Sequence, residues 1–393
     1  MALDFLQVSQ QVKQMGEKAL GLQQDIKQKL DDARVFLDER SNDVLQLQQK
    51  VHDVVSRYDP TLRCAVPVIE PLNSHHPLPR LPGQVSIIAA DGSQIFADRH
   101  AEVEYCLVNT GAIWMTCGSP EAPQTSIQSK LIYADELEGM SDDRLSLQRD
   151  LAERTRLLEI ALQLPRPVIT LTDGPLELWT TTLEEGKVAG EFKKALETYL
   201  DVLRKLCEID ASTAGYVDKP GSDLLVRLLE VSHAEPGDLP QMRSFHPFSG
   251  VTDRALLEAV IKPGERSAIF TIQSRSSQAY KGELGLHFFY LNVGTEARSY
   301  LARVEIPAWV ADDEAKLNSL HAVLVSQSRM IGNQAYPYLL HRAHETAVVS
   351  LEDRDQVTQM IVNELRKRGL DVTGKSAKQF NKDVAGKRTR YGE

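Results

Sequence analysis

The sequence is poor in the features that mark membrane, secreted and zinc-finger proteins. Its 393 residues contain no apolar run near the roughly 18 residues of a membrane helix. The first residues lack the charged and apolar segments of a secretory signal. The chain has only four cysteines, and none shows the spacing of a zinc site or a disulfide framework. These absences predict a reducing, cytoplasmic location without membrane insertion.

Positive charge is also scarce. Lysine and arginine number 45 against 55 aspartates and glutamates, which gives a formal net charge of −10. This balance argues against a protein that coats nucleic acid nonspecifically. It is compatible with an enzyme that has a local basic groove, because the field in a cleft depends on how charge is distributed. A Walker A pattern is absent from the sequence, so any energy for translocation would come from a partner.

The spacing of apolar residues and prolines divides the chain into four regions. Residues 1–58 carry a heptad-like apolar seam that predicts a long N-terminal helical arm, as one helix or a pair. The arm either packs on its own domain or serves dimerisation or partner docking. Residues 59–84 form a proline-rich connector. Residues 85–350 mix strands and helices, and residues 351–393 contain a helix and a basic tail, which either docks nucleic acid or is a solvated end.

Two short apolar strands end in the same dipeptide. The run that starts at Val85 leads into Asp91-Gly92, and the run at 168–172 leads into Asp173-Gly174. Glycine permits a backbone conformation or a close approach that a Cβ would block. Carboxylates fixed at the ends of buried strands suit a divalent-metal site, because a cation offsets the cost of burying them. The alternative at either position is an ordinary Asp-Gly turn.

The order of predicted elements indicates the fold class. The elements are strands at 85–90, 101–109 and 111–115, a helix at 141–164, a strand at 168–172 and a helix at 178–209. This order is that of an α/β protein whose mixed sheet is flanked by helices. Two acids on neighbouring central strands are the outline of a ribonuclease-H-like core.

The helix at 141–164 offers a third acid. A two-metal phosphodiester site needs several acids around ions about 3.5–4 Å apart. Glu159 and Glu153 differ by six positions, or roughly 600° of rotation, so they lie on different faces and only one can point at the site. Glu159 is the first choice because apolar Leu158 and Ile160 flank it. A solvated helix glutamate is the alternative for either residue.

A motif near residue 340 adds polar and aromatic side chains. Pro337 suits the first turn of a helix that would run on through the histidines. His341 and His344 are three residues apart and share roughly one face of that helix. Such a histidine pair either binds a metal or has a structural role.

The chain resembles the NurA nuclease family through four motifs in a fixed order over residues 85–350. They are Asp91-Gly-Ser, Asp173-Gly-Pro-Leu, Ala-Gly-Tyr-Val-x-Lys-Pro at 214–220, and Tyr-Pro-x-x-Leu-x-x-Ala-His at 336–344. The resemblance implies a ribonuclease-H-like fold, a ring-shaped homodimer and Mn²⁺- or Mg²⁺-dependent cleavage of DNA. The implied activities are single-strand endonuclease and 5′→3′ exonuclease. The implied partner is a HerA-type hexameric ATPase, in DNA end resection during double-strand-break repair.

The resemblance also assigns roles to individual residues. Carried over by motif, the implied metal ligands for two ions are Asp91, Asp173 and Glu159, with Glu153 as the second choice for the third acid. Tyr336 and His344 are implied to belong to the active site. Lys219 fits a phosphate contact, and a surface turn lysine is the alternative. Pro175 replaces a serine often found after the second Asp-Gly, and we expect it to change the turn without removing the ligand.

Two other functions remain open at this point. One is a nuclease or structural subunit of an antiphage defence complex with the same kind of ATPase. The other is an RNA-directed enzyme of the same fold.

Overall fold

The computed structural model describes residues 3–98, 101–137, 139–178, 187–332 and 335–370. Within these ranges the α-helices are α1 (Phe5–Glu39), α2 (Val44–Arg57), α3 (Asp142–Ala161), α4 (Lys187–Glu208), α5 (Leu224–His233), α6 (Asp253–Leu257), α7 (Ala308–Ala311), α8 (Glu314–Ser328), α9 (Tyr338–Ala347) and α10 (Leu351–Lys367). None of these helices is long and apolar enough to cross a membrane. The predicted basic tail beyond residue 370 lies outside the described residues.

The strands of the same ranges belong to mixed β-structure. They are β1 (Cys64–Pro67), β2 (His75–His76), β3 (Val85–Ile95), β4 (Cys106–Cys117), β5 (Gln124–Ile132), β6 (Val168–Asp173), β7 (Ser212–Val217), β8 (Arg266–Ser267), β9 (Phe270–Gln273), β10 (Leu286–Asn292) and β11 (Leu301–Pro307).

The chain divides into two compact units, each assembled from separate segments. Unit 1 consists of Met1–Pro82, Asp173–Glu177 and Ser212–Tyr338. Unit 2 consists of Gly83–Thr172, Leu178–Ala211 and Leu339–Glu393. The boundaries at residues 58, 84 and 350 stay predictions from the sequence, whereas the units follow the packing of segments that are distant along the chain.

Unit 2 is built on β3. This strand pairs with β4 in antiparallel register from Val85–Cys117 to Ile95–Leu107, and β4 pairs in turn with β5. On its other side β3 pairs in parallel with β6, from Ser86–Val168 to Ala90–Thr172. Helix α3 packs on β3 and β4 and contacts α4. An antiparallel meander followed, through a helix, by a strand parallel to its first member confirms the predicted ribonuclease-H-like class.

The meander differs in detail from the sequence prediction. The predicted strands at 101–109 and 111–115 are one strand, β4, whose pairing with β3 continues through Gly111. The third strand is β5, which the sequence analysis missed. Its side chains are mostly exposed and polar, so it lacks the alternation of apolar residues that marks a half-buried strand. Backbone pairing with β4, and not side-chain burial, therefore defines β5.

Helix α3 forms where it was predicted. The Ser141 side chain caps it by accepting a hydrogen bond from the Arg144 N–H. Two aspartates occupy the first turn, where their negative charge interacts favourably with the helix dipole. Its buried face includes Leu145 and Leu157, as expected for an amphipathic helix. The same face also buries two charged residues, Glu153 and Arg154.

Unit 1 contains a set of antiparallel strands and the N-terminal arm. Its strands follow the order β1-β9-β10-β11-β7, and β8 pairs with both β2 and β10. The arm is a pair of helices, α1 and α2. Residues 3–25 are exposed, including the seam residues Val8, Val12 and Met15. From Ile26 onward α1 packs on unit 1, where Ala33 and Leu37 are buried.

Candidate active site

The centre of the candidate site in unit 2 is Asp91, near the end of β3. One oxygen of its carboxylate, Oδ1, accepts the Gly92 N–H at 2.8 Å. The other, Oδ2, lies 2.7 Å from Nδ1 of His344. The Asp91 side chain is 17% exposed and that of His344 is 64% exposed. The pair is therefore held by the fold and is open to solvent on the histidine side.

Helix α9 is fixed at its C-terminal end, which positions His344 one turn earlier. The carbonyl oxygen of Ala347 accepts hydrogen bonds from Ser93 Oγ at 2.5 Å and from Asn109 Nδ2 at 2.8 Å. Asn109 is held in turn by Ser129, whose hydroxyl donates to Asn109 Oδ1 at 2.6 Å. These bonds satisfy a carbonyl that the helix end leaves unpaired, and they tie α9 to the meander. The predicted helix after Pro337 is confirmed.

Glu153 reaches the neighbourhood of Asp91 because residue 92 has no side chain. A Cβ on Gly92 would lie 2.7 Å from Glu153 Oε1 and 2.5 Å from Arg149 Cγ. Gly92 is part of β3 and does not have a positive φ, so the close approach of α3 is what requires glycine here. Gly174 is the opposite case: its φ is +88° and the space around its Cβ position is open, so the backbone conformation requires glycine.

The electrostatics of Glu153 are those of an acid held in a crowded, buried place. Its side chain is 6% exposed, and burial raises the pKa of the carboxyl to about 8. The charges of Asp150 and Asp91 raise it further, whereas Arg154 at 3.3 Å and Arg149 at 3.4 Å oppose the shift. Buried acids that repel each other are characteristic of sites that bind cations or transfer protons.

Glu159, the first choice from the sequence, lies elsewhere on α3. Its side chain is 45% exposed and forms an ion pair with Arg156 at 2.8 Å. It lines a polar groove with Lys130 and Arg156, and the lining of that groove includes neither Asp91 nor Glu153. The structure thus places Glu153 against Gly92, the residue after Asp91, and leaves Glu159 on another face of the helix. The different burial of the two glutamates has a physical reason: α3 buries the face that carries Glu153, and apolar neighbours in sequence do not identify that face.

Arg149 and Asp150 also belong to the cluster, and the sequence analysis did not single them out. Arg149 Nη2 lies 2.7 Å from Asp150 Oδ1, and its Nη1 donates to Gln94 Oε1 at 3.0 Å. These contacts join α3 to the end of β3. The spacing of four residues between Arg149 and Glu153 allows an ion pair on one face of the helix and could have indicated this contact. Charged residues occur throughout the helix, however, so this pair does not stand out in the sequence.

Three other predicted residues lie in unit 1 near Tyr216 of β7. The Gly174 N–H, directly after Asp173, donates to the Tyr216 carbonyl oxygen at 2.8 Å. The Tyr336 and Tyr216 rings meet edge to face with their centroids 5.5 Å apart. Burial raises the pKa of the Tyr216 hydroxyl well above its ordinary value, and the charge of Asp173 contributes. Lys219 follows the same strand at the edge of a separate pocket.

The donor set fits a hard divalent cation chemically. Asp91 and Glu153 supply carboxylate oxygens, the ligands that Mn²⁺ and Mg²⁺ prefer, and His344 adds an imidazole. Among the described residues, no group of three or more His, Cys, Asp or Glu side chains is arranged tightly enough to hold a metal. In unit 2 the Glu153 carboxylate is instead turned toward Arg149 and Arg154. A cation would compete with these arginines for a carboxylate that burial disfavours.

We expect Gly92→Ala to lower catalysis far more than it lowers stability. The added Cβ would displace Glu153 and Arg149, and overpacking of this kind costs about 1–3 kcal/mol. A displacement of about 1 Å at a reacting centre can reduce the rate about 100-fold. The measurements are DNA cleavage at saturating metal and the free energy of unfolding in urea. Val85→Ala, at the opposite end of the same strand, is the matched control: it should lose comparable stability and keep its activity. Equal activity in the two variants would contradict the role given to Gly92.

A second expectation concerns the stability of the metal-free protein. Because the pKa of Glu153 is about 8 in the folded state and near 4.5 otherwise, the unfolded chain binds fewer protons between these values. Stability should therefore fall as pH rises from about 4.5 to 8, and Glu153→Gln should remove this contribution. In urea titrations with EDTA, the free energy of unfolding of the variant should rise relative to that of the wild type by a few kcal/mol between pH 5 and pH 8. Because Gln cannot form an ion pair with Arg154, the substitution also has an effect on stability that is unrelated to the titration of Glu153. The test is therefore how the stability difference between variant and wild type changes with pH. A difference that stays constant with pH would refute this account.

Comparison with known proteins agrees with the motif order. A family model described as the NurA domain matches residues 85–349. Among solved structures, the NurA nuclease from Sulfolobus solfataricus matches with 14% identity and a TM-score of 0.47, over 84% of this chain and 94% of that one. The catalytic domain of human Endonuclease V matches with 13% identity and a TM-score of 0.32, over 70% and 83% of the two chains.

A third structural match is Endonuclease V from Ciona intestinalis in complex with a 24mer DNA. It has 10% identity and a TM-score of 0.30, over 70% of this chain and 87% of that one. A comparison with curated protein sequences gave no match. The NurA domain model covers more than half of the 393 residues and includes all four motifs. The chain therefore belongs to the NurA family.

Proposed function

We propose that the protein is a deoxyribonuclease that depends on Mn²⁺ or Mg²⁺ and acts as a single-strand endonuclease and a 5′→3′ exonuclease. The observation that carries the proposal is the set formed by Asp91, which contacts His344, and by Glu153, which lies against the neighbouring Gly92. It joins a strand acid, a buried helix acid with a raised pKa and an exposed histidine. Membership of a nuclease family supports hydrolysis of a phosphodiester as the reaction.

We propose Asp91, Glu153 and Asp173 as the carboxylates that hold two divalent ions. Glu153 replaces Glu159 in this set because Glu153 is buried against Gly92 and its pKa responds to the charge of Asp91, whereas Glu159 pairs with Arg156. Asp173 is included on its motif, the second Asp-Gly pair that follows an apolar strand. Divalent ions at such carboxylates polarise the phosphate and lower the pKa of bound water.

His344 is the residue we propose for proton transfer or phosphate orientation. Its Nδ1 is engaged by Asp91 Oδ2, which fixes the ring and leaves Nε2 for the substrate. The exposure of the ring allows Nε2 to contact a phosphate oxygen or to give a proton to the leaving oxygen. Tyr336 is proposed as a further active-site residue on its motif, with its ring set against Tyr216.

The biological setting is proposed from the family. The protein would act as a homodimer with a HerA-type hexameric ATPase in DNA end resection, since this chain has no Walker A sequence of its own. The exposed seam of α1 is available for such an assembly. The four cysteines are free thiols, which supports the proposed cytoplasmic location.

A cleavage assay with matched substrates tests the function. The full-length protein is incubated with a labelled single-stranded DNA or an RNA of the same sequence, in Mn²⁺, in Mg²⁺ or in EDTA. We expect the DNA to be cleaved in metal, cleavage to stop in EDTA and to return with excess Mn²⁺, and the RNA to be cut more slowly. Cleavage that persists in EDTA, or RNA cut faster than DNA, would contradict the proposal.

A further inference from the structure

We propose that a basic pocket in unit 1, formed by Lys219, Arg254, Arg298 and Tyr300, binds a phosphate group of the nucleic-acid substrate at a position other than the bond that is cut. The inference rests on the proposed nuclease function and adds to it a substrate-binding site that includes residues outside the four family motifs. We call this cavity the phosphate pocket.

The phosphate pocket is a concave site with an excess of positive charge. Its volume is about 400 Å³, which is larger than a phosphate group and leaves room for water. Lys219, Arg254 and Arg298 contribute three positive charges to its lining, and Glu258 contributes one negative charge. The protein as a whole carries a formal charge of −10, so this local surplus runs against the overall balance.

The three cations are not neutralised by neighbours. Within the part of the chain that the structure describes, none of them forms an ion pair, whereas Arg303 on the adjacent strand pairs with Glu305 at 2.8 Å. Glu258 in the lining offsets only one of the three positive charges, so a bound anion would stabilise the pocket by compensating the remaining surplus. Arginine presents planar donors that match the oxygens of a phosphate, and lysine adds a point charge.

The backbone holds Lys219 in place against a local strain. Its φ is +44°, a left-handed conformation that non-glycine residues rarely adopt. The Lys219 ammonium lies 5.6 Å from the centroid of the Tyr300 ring, in the range of a cation–π contact. The Tyr300 hydroxyl donates to Asp218 Oδ1 at 2.8 Å, which anchors the ring and engages the acid next to Lys219 in sequence. A strained residue fixed by its surroundings is typical of a functional position.

The phosphate pocket lies in unit 1, the unit that also contains Asp173, a proposed metal ligand. Lys219 follows three residues after Tyr216, whose carbonyl oxygen accepts the Gly174 N–H next to Asp173. A nucleic-acid strand carries a phosphate at every nucleotide, so a strand bound near Asp173 would present further phosphates along this end of β7. Contacts to such phosphates position a strand without reading its sequence.

The test compares two double variants that remove equal charge. In the Arg254→Ala/Arg298→Ala protein the pocket loses two cations. In the Arg204→Ala/Arg368→Ala control two exposed arginines with carboxylate partners are lost. Binding of a labelled 20-nucleotide single strand is measured in EDTA, so that no cleavage occurs, over a range of salt concentrations.

We expect the pocket variant to bind at least about 10-fold more weakly than the control and to lose about 0.7 from the slope of log K against log salt, as the loss of one phosphate contact on a single strand predicts. Lys219→Asn removes the third charge with a residue that tolerates a positive φ, and it should reduce the slope by about 0.7. Thermal unfolding of each variant verifies that it is folded.

Two forms of the strand identify which phosphate is bound. If strands with a 5′-phosphate and a 5′-hydroxyl lose affinity equally, the pocket binds an internal phosphodiester; if only the phosphorylated strand loses affinity, it binds the terminal phosphate. Either result supports the proposal. A pocket variant that binds both strands as the control does would overturn it, even while the wild type cleaves DNA. A wild type that neither binds nor cleaves DNA would instead refute the nuclease function.

Discussion

Asp91→Ala is expected to lower metal-dependent DNA cleavage by about 1,000-fold or more and to leave the fold intact. The substitution removes the carboxylate that faces His344 and that we propose as a metal ligand. Metal stabilisation of a reacting phosphate contributes several kcal/mol, and each 1.4 kcal/mol changes a rate about tenfold. The stability cost should be small, because the carboxylate is partly exposed and its main protein partners are one N–H and one imidazole.

The experiment measures initial cleavage rates at saturating Mn²⁺, with circular dichroism and urea unfolding as checks on the fold. Asp91→Asn keeps the size of the side chain, so an equal loss of activity in this variant would assign the effect to charge and not to packing. Asp201→Ala removes an exposed acid of α4 that pairs with Lys205 on the surface of unit 2, and it should cleave at the wild-type rate. Full activity in Asp91→Ala would end the nuclease assignment.

Glu153→Gln and Glu159→Gln should have very different effects on cleavage, although both residues are glutamates of the same helix. We expect a loss of about 100- to 1,000-fold for Glu153→Gln, because the amide keeps the shape but cannot offer a carboxylate to a cation. Glu159 is paired with Arg156 in a different groove, so Glu159→Gln should change the rate by less than about threefold.

The two glutamine variants are compared in the same assay at several metal concentrations. For Glu153→Gln we expect a higher metal concentration at half-maximal activity as well as a lower maximal rate, which a purely structural role would not produce. Glu159→Gln is the matched control for an exchange of Glu for Gln on α3. The reverse pattern, with Glu159→Gln inactive and Glu153→Gln active, would restore the choice made from the sequence.

The sequence predicts the strand that carries Asp91 because its burial is a local property. The run before Asp91 is mostly apolar and contains three β-branched residues, Val85, Ile87 and Ile88, and the structure buries every residue from Val85 to Ala90. The two Asp-Gly pairs looked equivalent in sequence, yet Gly92 meets side chains of α3 and Gly174 meets open space with a positive φ. Which of the two uses of glycine applies depends on what packs nearby, and sequence alone does not contain that information.

The sequence could not distinguish Glu153 from Glu159 for a related reason. Apolar neighbours in sequence indicate a buried helix but do not indicate which charged residue shares the buried face. Glu153 and Arg154 are buried together, and Arg154 lies over the ring of Tyr199 of α4 at 5.4 Å. A pattern of apolar and polar residues cannot distinguish a buried ion pair of this kind from two charged residues on the surface. Only the long-range packing of α3 on β3 and α4 assigns Glu153 to the interior.

Helix α1 has an exposed N-terminal part and a C-terminal part that packs on the rest of unit 1. Its residues 5–25 stand clear of the body of unit 1, whereas Arg34 donates to the Ala255 carbonyl oxygen at 3.0 Å and Leu37 is buried. Shortening the chain up to residue 25 should therefore leave the folding free energy of the remaining protein almost unchanged. A truncated chain that no longer binds its partner macromolecules but keeps its melting temperature would show that the exposed half of this helix mediates binding and does not stabilise the fold.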